Sequence, residues 1–171
     1  MTFLELAKER YSVRKYKDQP VEQEKIDMIL EASKVAPTAC NKQPQKIYVV
    51  KSEEMKAKLA AVCRFTFGAP VIMVVCYDKT REWQNNLMPG YTSGETDAAI
   101  ACTHMMLEAW DLGLGSCWVA WFNADEVAAA LGIPENEQVL ALLPIGYAAD
   151  DAKPASLHST FRDDAEMVQE L

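Results

Sequence analysis

Only two histidines occur in the 171 residues, at 104 and 158, and neither has a second ligand at metal-binding spacing. Core or surface packing accounts for both more simply than metal ligation does. No Cys-x-x-Cys occurs, and the five cysteines at 40, 63, 76, 102 and 117 are an odd number. Neither a zinc site nor a fully paired disulfide set follows from them. Cys76 and Cys102 lie in apolar contexts and read as small core residues, a usage that suits a reducing, cytoplasmic location. Nucleophile motifs are missing too. There is no Gly-x-Ser-x-Gly elbow, no Ser/Lys pair and no carboxylate dyad at helical spacing, so hydrolysis has no carrier. No apolar run reaches the roughly 18 residues of a membrane span. The opening Thr2-Phe3-Leu4-Glu5 lacks the basic-then-apolar pattern of a signal peptide. Positive charge is scarce: 17 Lys and Arg against 25 Asp and Glu leave a net charge of −8, which argues against nucleic acid as a partner.

What is present suits one α+β domain with a sizeable core. Thr2 with Glu5 reads as a capping box that opens a helix through about Glu9. Pro20 introduces a second helix with Ile26, Ile29, Leu30 and Ser33 on one side, ending before Pro37. The stretch Pro37 to Pro44 is bracketed by prolines, which makes it a rigid loop. Ile47–Val50 is a short strand, Ser52 caps a helix carrying Met55, Leu59 and Val62, and the apolar run Pro70–Tyr77 is a central strand covered on both faces. Lys79 to Ser93 is an irregular excursion of the kind that forms lids or rims. The longest helix runs from about Glu95 to Leu112 and ends at Gly113. Cys117–Trp121 is expected as a strand, and Asn123 with Glu126 caps a helix through Leu131. Val139–Tyr147 is a last strand, with Pro144 suggesting an edge or a bulge.

The sharpest local signal is Arg10-Tyr11-Ser12-Val13-Arg14-Lys15-Tyr16. If its backbone is extended, Arg10, Ser12 and Arg14 project to one side. Two planar guanidinium forks and a hydroxyl then make a cradle suited to a phosphomonoester; a solvated basic turn is the plainer reading. Gly113-Leu-Gly115 has the look of a dinucleotide fingerprint, but its third glycine is missing and it runs from helix to strand. Helix closure and tight packing explain those glycines better. Asp97, at the start of an apolar helix, reads as a capping or paired structural residue, and Met105-Met106 as core filler. The remaining features favour a flat, anionic, hydrogen-bonding ligand: the Asn41/Gln43 amide pair on the rigid loop, the aromatic-flanked run Trp118-Val119-Ala120-Trp121, and a third cation, Arg162, in the tail.

In sequence order, these segments resemble the short members of the nitroreductase family of FMN-dependent oxidoreductases. Glu9-Arg-Tyr-Ser-Val-Arg-Lys-Tyr16 is similar to the family's Arg-x-Ser-x-Arg-x-Tyr/Phe phosphate motif. Ala36-Pro-Thr-Ala-Cys-Asn-Lys-Gln-Pro44 is similar to its Ala-Pro-Ser/Thr-x-x-Asn-x-Gln-Pro loop. Ala69-Pro70, Asp97-Ala-Ala and Leu112-Gly-Leu-Gly-Ser-Cys-Trp118 follow at family-like intervals, so the match spans nearly the whole chain.

The resemblance implies one nitroreductase-like, FMN-binding α+β domain over 1–171. Its fold would be a central, mostly antiparallel sheet flanked by helices, in an interlocked homodimer with two FMN sites at the interface. By position, Arg10, Ser12 and Arg14 would hold the FMN phosphate and ribityl chain. Pro37, Thr38, Ala39, Asn41 and Gln43 would reach the flavin from the partner subunit. Trp118, Val119, Ala120 and Trp121 would pass behind the ring, with a backbone N–H near Ala120 or Trp121 facing flavin N5, and Arg162 would complete the phosphate site. Many relatives carry a second cation two residues before that arginine; here the position is Thr160. The implied activity passes electrons from NADH or NADPH through FMN to a nitroaromatic, quinone or related small acceptor in a ping-pong cycle. A flavin-binding carrier or sensor without turnover is the alternative, and a non-redox phosphate-ligand domain a third.

Overall fold

Local signals place most elements. The structure, a computed structural model, describes residues 2–171; Met1, the first residue of the expected domain, lies outside the described residues. The Thr2 hydroxyl accepts from Glu5 N at 3.3 Å while the Glu5 carboxylate accepts from Thr2 N at 2.7 Å, so the expected capping box opens α1 (Phe3–Glu9). α2 spans Gln23–Val35, and β1 (Gln45–Val50) follows the proline-bracketed loop. Ser52 Oγ accepts from Met55 N and starts α3 (Glu53–Val62). β2 (Val71–Asp78) leads through the excursion to α4 (Gly94–Asp111), the longest helix. Gly113, at φ +77°, turns the chain out of α4 in the left-handed region that favours glycine. β3 is only Gly115–Ser116, Asn123 caps α5 (Ala124–Leu131), β4 is Glu137–Gly146, and α6 is the single turn Asp164–Met167.

The four strands lie in the order β1-β2-β4-β3, with every pairing antiparallel. β2 is interior, which is why its apolar run needs no polar alternation: Val71, Met73 and Val75 face one core, and Ile72, Val74 and Cys76 the other. The first core is closed by Ile26 and Ile29 of α2 and by Ala98, Cys102 and Met105 of α4. Leu59 of α3 and Val127 of α5 close the second. The result is an α+β sandwich with α2 and α4 on one face of the sheet and α3 and α5 on the other. Burial pushes the thiols of Cys76 and Cys102, one in each core, up to about 12.

Two expectations fail, both near Pro144. β4 is an interior strand, and its irregularity falls at Leu140, which is skipped where Val75 faces Ala141 and Cys76 faces Val139. That extra residue flips the parity, so Ala141, Leu143 and Ile145 share one core while Val139 and Leu142 share the other. Pro144 sits inside the strand because its nitrogen points toward β3 rather than β2. The Pro144 carbonyl, on the same side, accepts from Cys117 N at 3.3 Å. With no N–H to return that bond, the ladder to the neighbouring segment lapses. Cys117–Trp121 is therefore not the expected strand. Besides that Cys117 bond it holds to β4 through an isolated bridge, Val119 to Leu142, with reciprocal bonds of 2.9 Å.

Candidate functional site

α1 ends at Arg10, whose φ and ψ of −59° and 128° turn the chain into extended backbone. The next residues run along the β3 side of the sheet: Val13 N donates to Ser116 O at 2.9 Å, and Ser12 bridges Ser116 in parallel. Val13 is completely buried, so the residues alternating with it turn the other way. Gly115 lets this segment lie close, since a Cβ there would stand 2.5 Å from Val13 Cγ2. The Tyr16 hydroxyl pins the far end from between the Val13 and Pro144 carbonyls, at 2.8 and 3.0 Å.

Arg10, Ser12 and Arg14 all act on the Cys117 thiol. Burial pushes that thiol up, while the nearby Arg14 charge, a hydrogen bond with Ser12 and the Arg10 charge oppose the shift. Arg14 donates from Nη1 to Ser12 O at 3.2 Å, and neither guanidinium has a carboxylate partner among the described residues. Every ion pair among those residues uses a lysine instead. In an acidic chain, arginines that satisfy no internal carboxylate remain available to an external anion.

Beside this cradle lies a shallow cleft of about 150 Å³, lined by Arg14, Phe65, Phe67 and the run Cys117–Trp121. All four expected residues Trp118, Val119, Ala120 and Trp121 therefore lie next to the expected cation Arg14. Phe65, Phe67 and the adjoining Arg64 were not anticipated. Their only sequence signal is the aromatic-rich turn Arg64-Phe-Thr-Phe67 directly before Gly68, and nothing local ties that turn to Trp121.

The Pro37–Pro44 loop is built differently. Cys40, Asn41 and Gln43 all take left-handed φ values, of 49°, 52° and 49°, where side chains are disfavoured. Internal bonds hold them there: Gln43 N donates to Thr38 Oγ1 at 3.1 Å and Gln43 Nε2 to Asn41 Oδ1 at 2.8 Å. Asp97, buried at the start of α4, accepts from Ala39 N at 3.0 Å and from the Ser93 hydroxyl at 2.7 Å. It is the structural residue expected, and what it structures is this loop. Asn41 and Gln43 are exposed.

The loop adjoins β1, whereas the cradle adjoins β3, at the opposite edge of the sheet. Three strand spacings put the two about 14 Å or more apart. One chain thus joins Arg10, Ser12 and Arg14 to Trp118–Trp121, and leaves Pro37, Thr38, Ala39, Asn41 and Gln43 elsewhere. The tail approaches the cradle where His158 meets the Tyr11 ring at 6.2 Å, but Arg162 itself has no hydrogen bond or ion pair among the described residues. The Lys79–Ser93 excursion does not rim the aromatic cleft of its own chain. It encloses a separate hollow of about 370 Å³ between Gln84 and Thr92.

The model of the nitroreductase family matches residues 7–64 and 61–147. A Methanothermobacter thermautotrophicus protein, whose name carries both NADH dehydrogenase and NAD(P)H nitroreductase, is 33% identical over 158 residues, covering 88% of this chain and 80% of that one. The crystal structure of a nitroreductase family protein from Clostridium difficile 630 superposes with a TM-score of 0.92 at 36% identity, over 99% of this chain and 98% of the other. An FMN-dependent nitroreductase from Clostridium difficile R20291 gives 0.79 at 30% identity, over 98% of each chain. The chain belongs to the nitroreductase family.

Proposed function

We propose that this chain is an FMN-dependent oxidoreductase that takes electrons from NADH or NADPH and delivers them to a small organic acceptor, a nitroaromatic or a quinone. The observation that carries the reading is the cradle: two guanidinium groups without carboxylate partners among the described residues and a hydroxyl, alternating along one extended segment beside an aromatic cleft in a chain of net charge −8. That donor set fits a phosphomonoester, and the cleft fits the apolar face of a flat ring. FMN, when bound, supplies the redox chemistry. Arg10, Ser12 and Arg14 hold its phosphate end, with Arg162 closing over it from the tail. Trp118, Val119, Ala120 and Trp121 cover one ring face and offer backbone donors to charge that develops there. No acid or base side chain is needed.

One chain holds only part of this site. Its cleft of about 150 Å³ is roughly half the smallest ordinary ligand pocket. Pro37, Thr38, Ala39, Asn41 and Gln43 complete it from a second copy in a homodimer. Apolar side chains left in solvent at both ends of the chain support that assembly, among them Phe3, Leu4 and Phe161, the last 81% exposed. The whole span 1–171 acts as one FMN-binding domain. Its five free cysteines suit the cytoplasm, and among the described residues no helix is long and apolar enough to cross a membrane.

Purified protein is expected to be yellow and to bleach on anaerobic addition of NADH or NADPH. Colourless protein that takes up no FMN would overturn the reading, and yellow protein that neither nicotinamide bleaches would make it a flavin carrier or sensor. With one ring face covered, nicotinamide and acceptor must use the other in turn, so steady-state rates should give parallel double-reciprocal lines.

A further inference from the structure

We propose that Arg64, Phe65 and Trp121 form a platform at the rim of the aromatic cleft that receives an oxyanion, a carboxylate or a phosphate, carried by a planar substrate. The proposal rests on this cleft being the redox site described above. Phe65 stacks on Trp121 with centroids 5.3 Å apart and planes 19° from parallel. The Arg64 guanidinium lies over both rings, 4.8 Å from the Phe65 centroid and 5.4 Å from that of Trp121. Cation–π attraction to the rings consumes no N–H donor, so the five donors of the guanidinium remain for a bidentate pair. No carboxylate takes them: Arg64 has no ion pair among the described residues.

The turn that carries the platform is held at a cost. Phe67 sits at φ 53°, a left-handed conformation that a bulky side chain rarely adopts. Trp121 is 76% exposed although it belongs to the cleft wall. An exposed Trp121 backed by the half-buried Phe65 and flanked by an unpaired cation offers a ligand both a flat apolar face and free donors. Two cations thus stand by the cleft. Arg14 lines it beside the cradle, where the cofactor phosphate is proposed to bind, and Arg64 stands against the Phe65 and Trp121 rings of its wall. The oxyanion has two possible sources, a carboxylate on an aromatic acceptor or the 2′-phosphate that distinguishes NADPH from NADH.

The test compares FMN-loaded wild type with Arg64→Gln and Arg64→Lys. Calorimetric titrations use 4-nitrobenzoate and its neutral counterpart 4-nitrobenzyl alcohol, and steady-state KM values are measured for NADPH and NADH. For an acceptor carboxylate, Arg64→Gln should weaken 4-nitrobenzoate by about tenfold or more, with 4-nitrobenzyl alcohol held within about twofold. Arg64→Lys, which keeps the charge without the fork, should fall between. A rise in KM for NADPH without one for NADH would also support the platform and assign its anion to the dinucleotide. Equal losses for charged and neutral probes, or no loss for any anion, would overturn it. So would FMN loss from Arg64→Gln, which would make Arg64 a cofactor ligand. If the wild type does not bleach with either nicotinamide, the redox reading fails, while the calorimetric contrast still reports whether Arg64 takes an oxyanion.

Discussion

The two edges of the sheet carry the two halves of the proposed site, and they are built on opposite principles. At the β3 edge, ordinary extended backbone sets Arg10, Ser12 and Arg14 on one side, and the chemistry lies in charge left unpaired. At the β1 edge, the Pro37–Pro44 loop spends its polar groups on itself and on Asp97, and holds three residues at left-handed φ. One half is a charge awaiting a partner; the other is a shape fixed in advance. No hydrogen bond among the described residues joins one half to the other, which suits halves that meet only across two chains.

The comparison breaks most severely at the charged edge. Each charge-assisted contact contributes about 1.5–3 kcal/mol, so Arg10→Ala with Arg14→Ala should weaken FMN at least about a hundredfold while the far-UV spectrum stays native. Unchanged affinity in a fluorimetric titration of apo-protein would remove the cradle. At the shaped edge, stability and binding should fall together. Asp97→Ala strands the half-buried Ala39 N–H and the buried Ser93 hydroxyl and should cost about 2–4 kcal/mol in urea unfolding. Asp97→Asn, which keeps an acceptor, should cost less. FMN affinity should drop in both, although Asp97 is assigned no contact with the cofactor. Dilution offers a gentler probe: sedimentation should show a dimer at micromolar concentration, and dissociation should release FMN.

The smallest effect concerns the cores beneath the two edges. The Cys76 and Cys102 thiols are raised from 9.0 to about 12, so the unfolded chain gives up those protons first. Their contribution is complete below about pH 9 and is lost as pH climbs toward 12. The urea midpoint should fall between pH 8 and pH 10, and Cys76→Ala or Cys102→Ala should flatten that fall.

What could be read from the sequence divides along the same lines. Caps and terminators act within a few residues, so Thr2, Ser52, Asn123 and Gly113 gave their helices correctly. β2 announced itself through an apolar run that only an interior strand can bury. Pro144 misled because its missing N–H matters only on the side that faces a neighbour. Which side that is depends on a register set by Leu140 and by segments far off in the chain. Arg64 and Phe65 escaped notice for the same reason: stacking on Trp121 is a tertiary event without a local pattern. The cradle and the loop were each legible as residue sets. That they lie at opposite edges followed only from the strand order.

The central claim, that each FMN site is assembled from the cradle of one chain and the loop of another, is tested most directly by complementation. Arg10→Ala/Arg14→Ala protein and Asn41→Ala/Gln43→Ala protein should each bind little FMN alone. Mixed and co-refolded, random pairing makes half the dimers hybrid, each with one intact site of two, so FMN binding should recover to about a quarter of the wild-type level. Binding no higher than the average of the two separate proteins would contradict a site shared between chains.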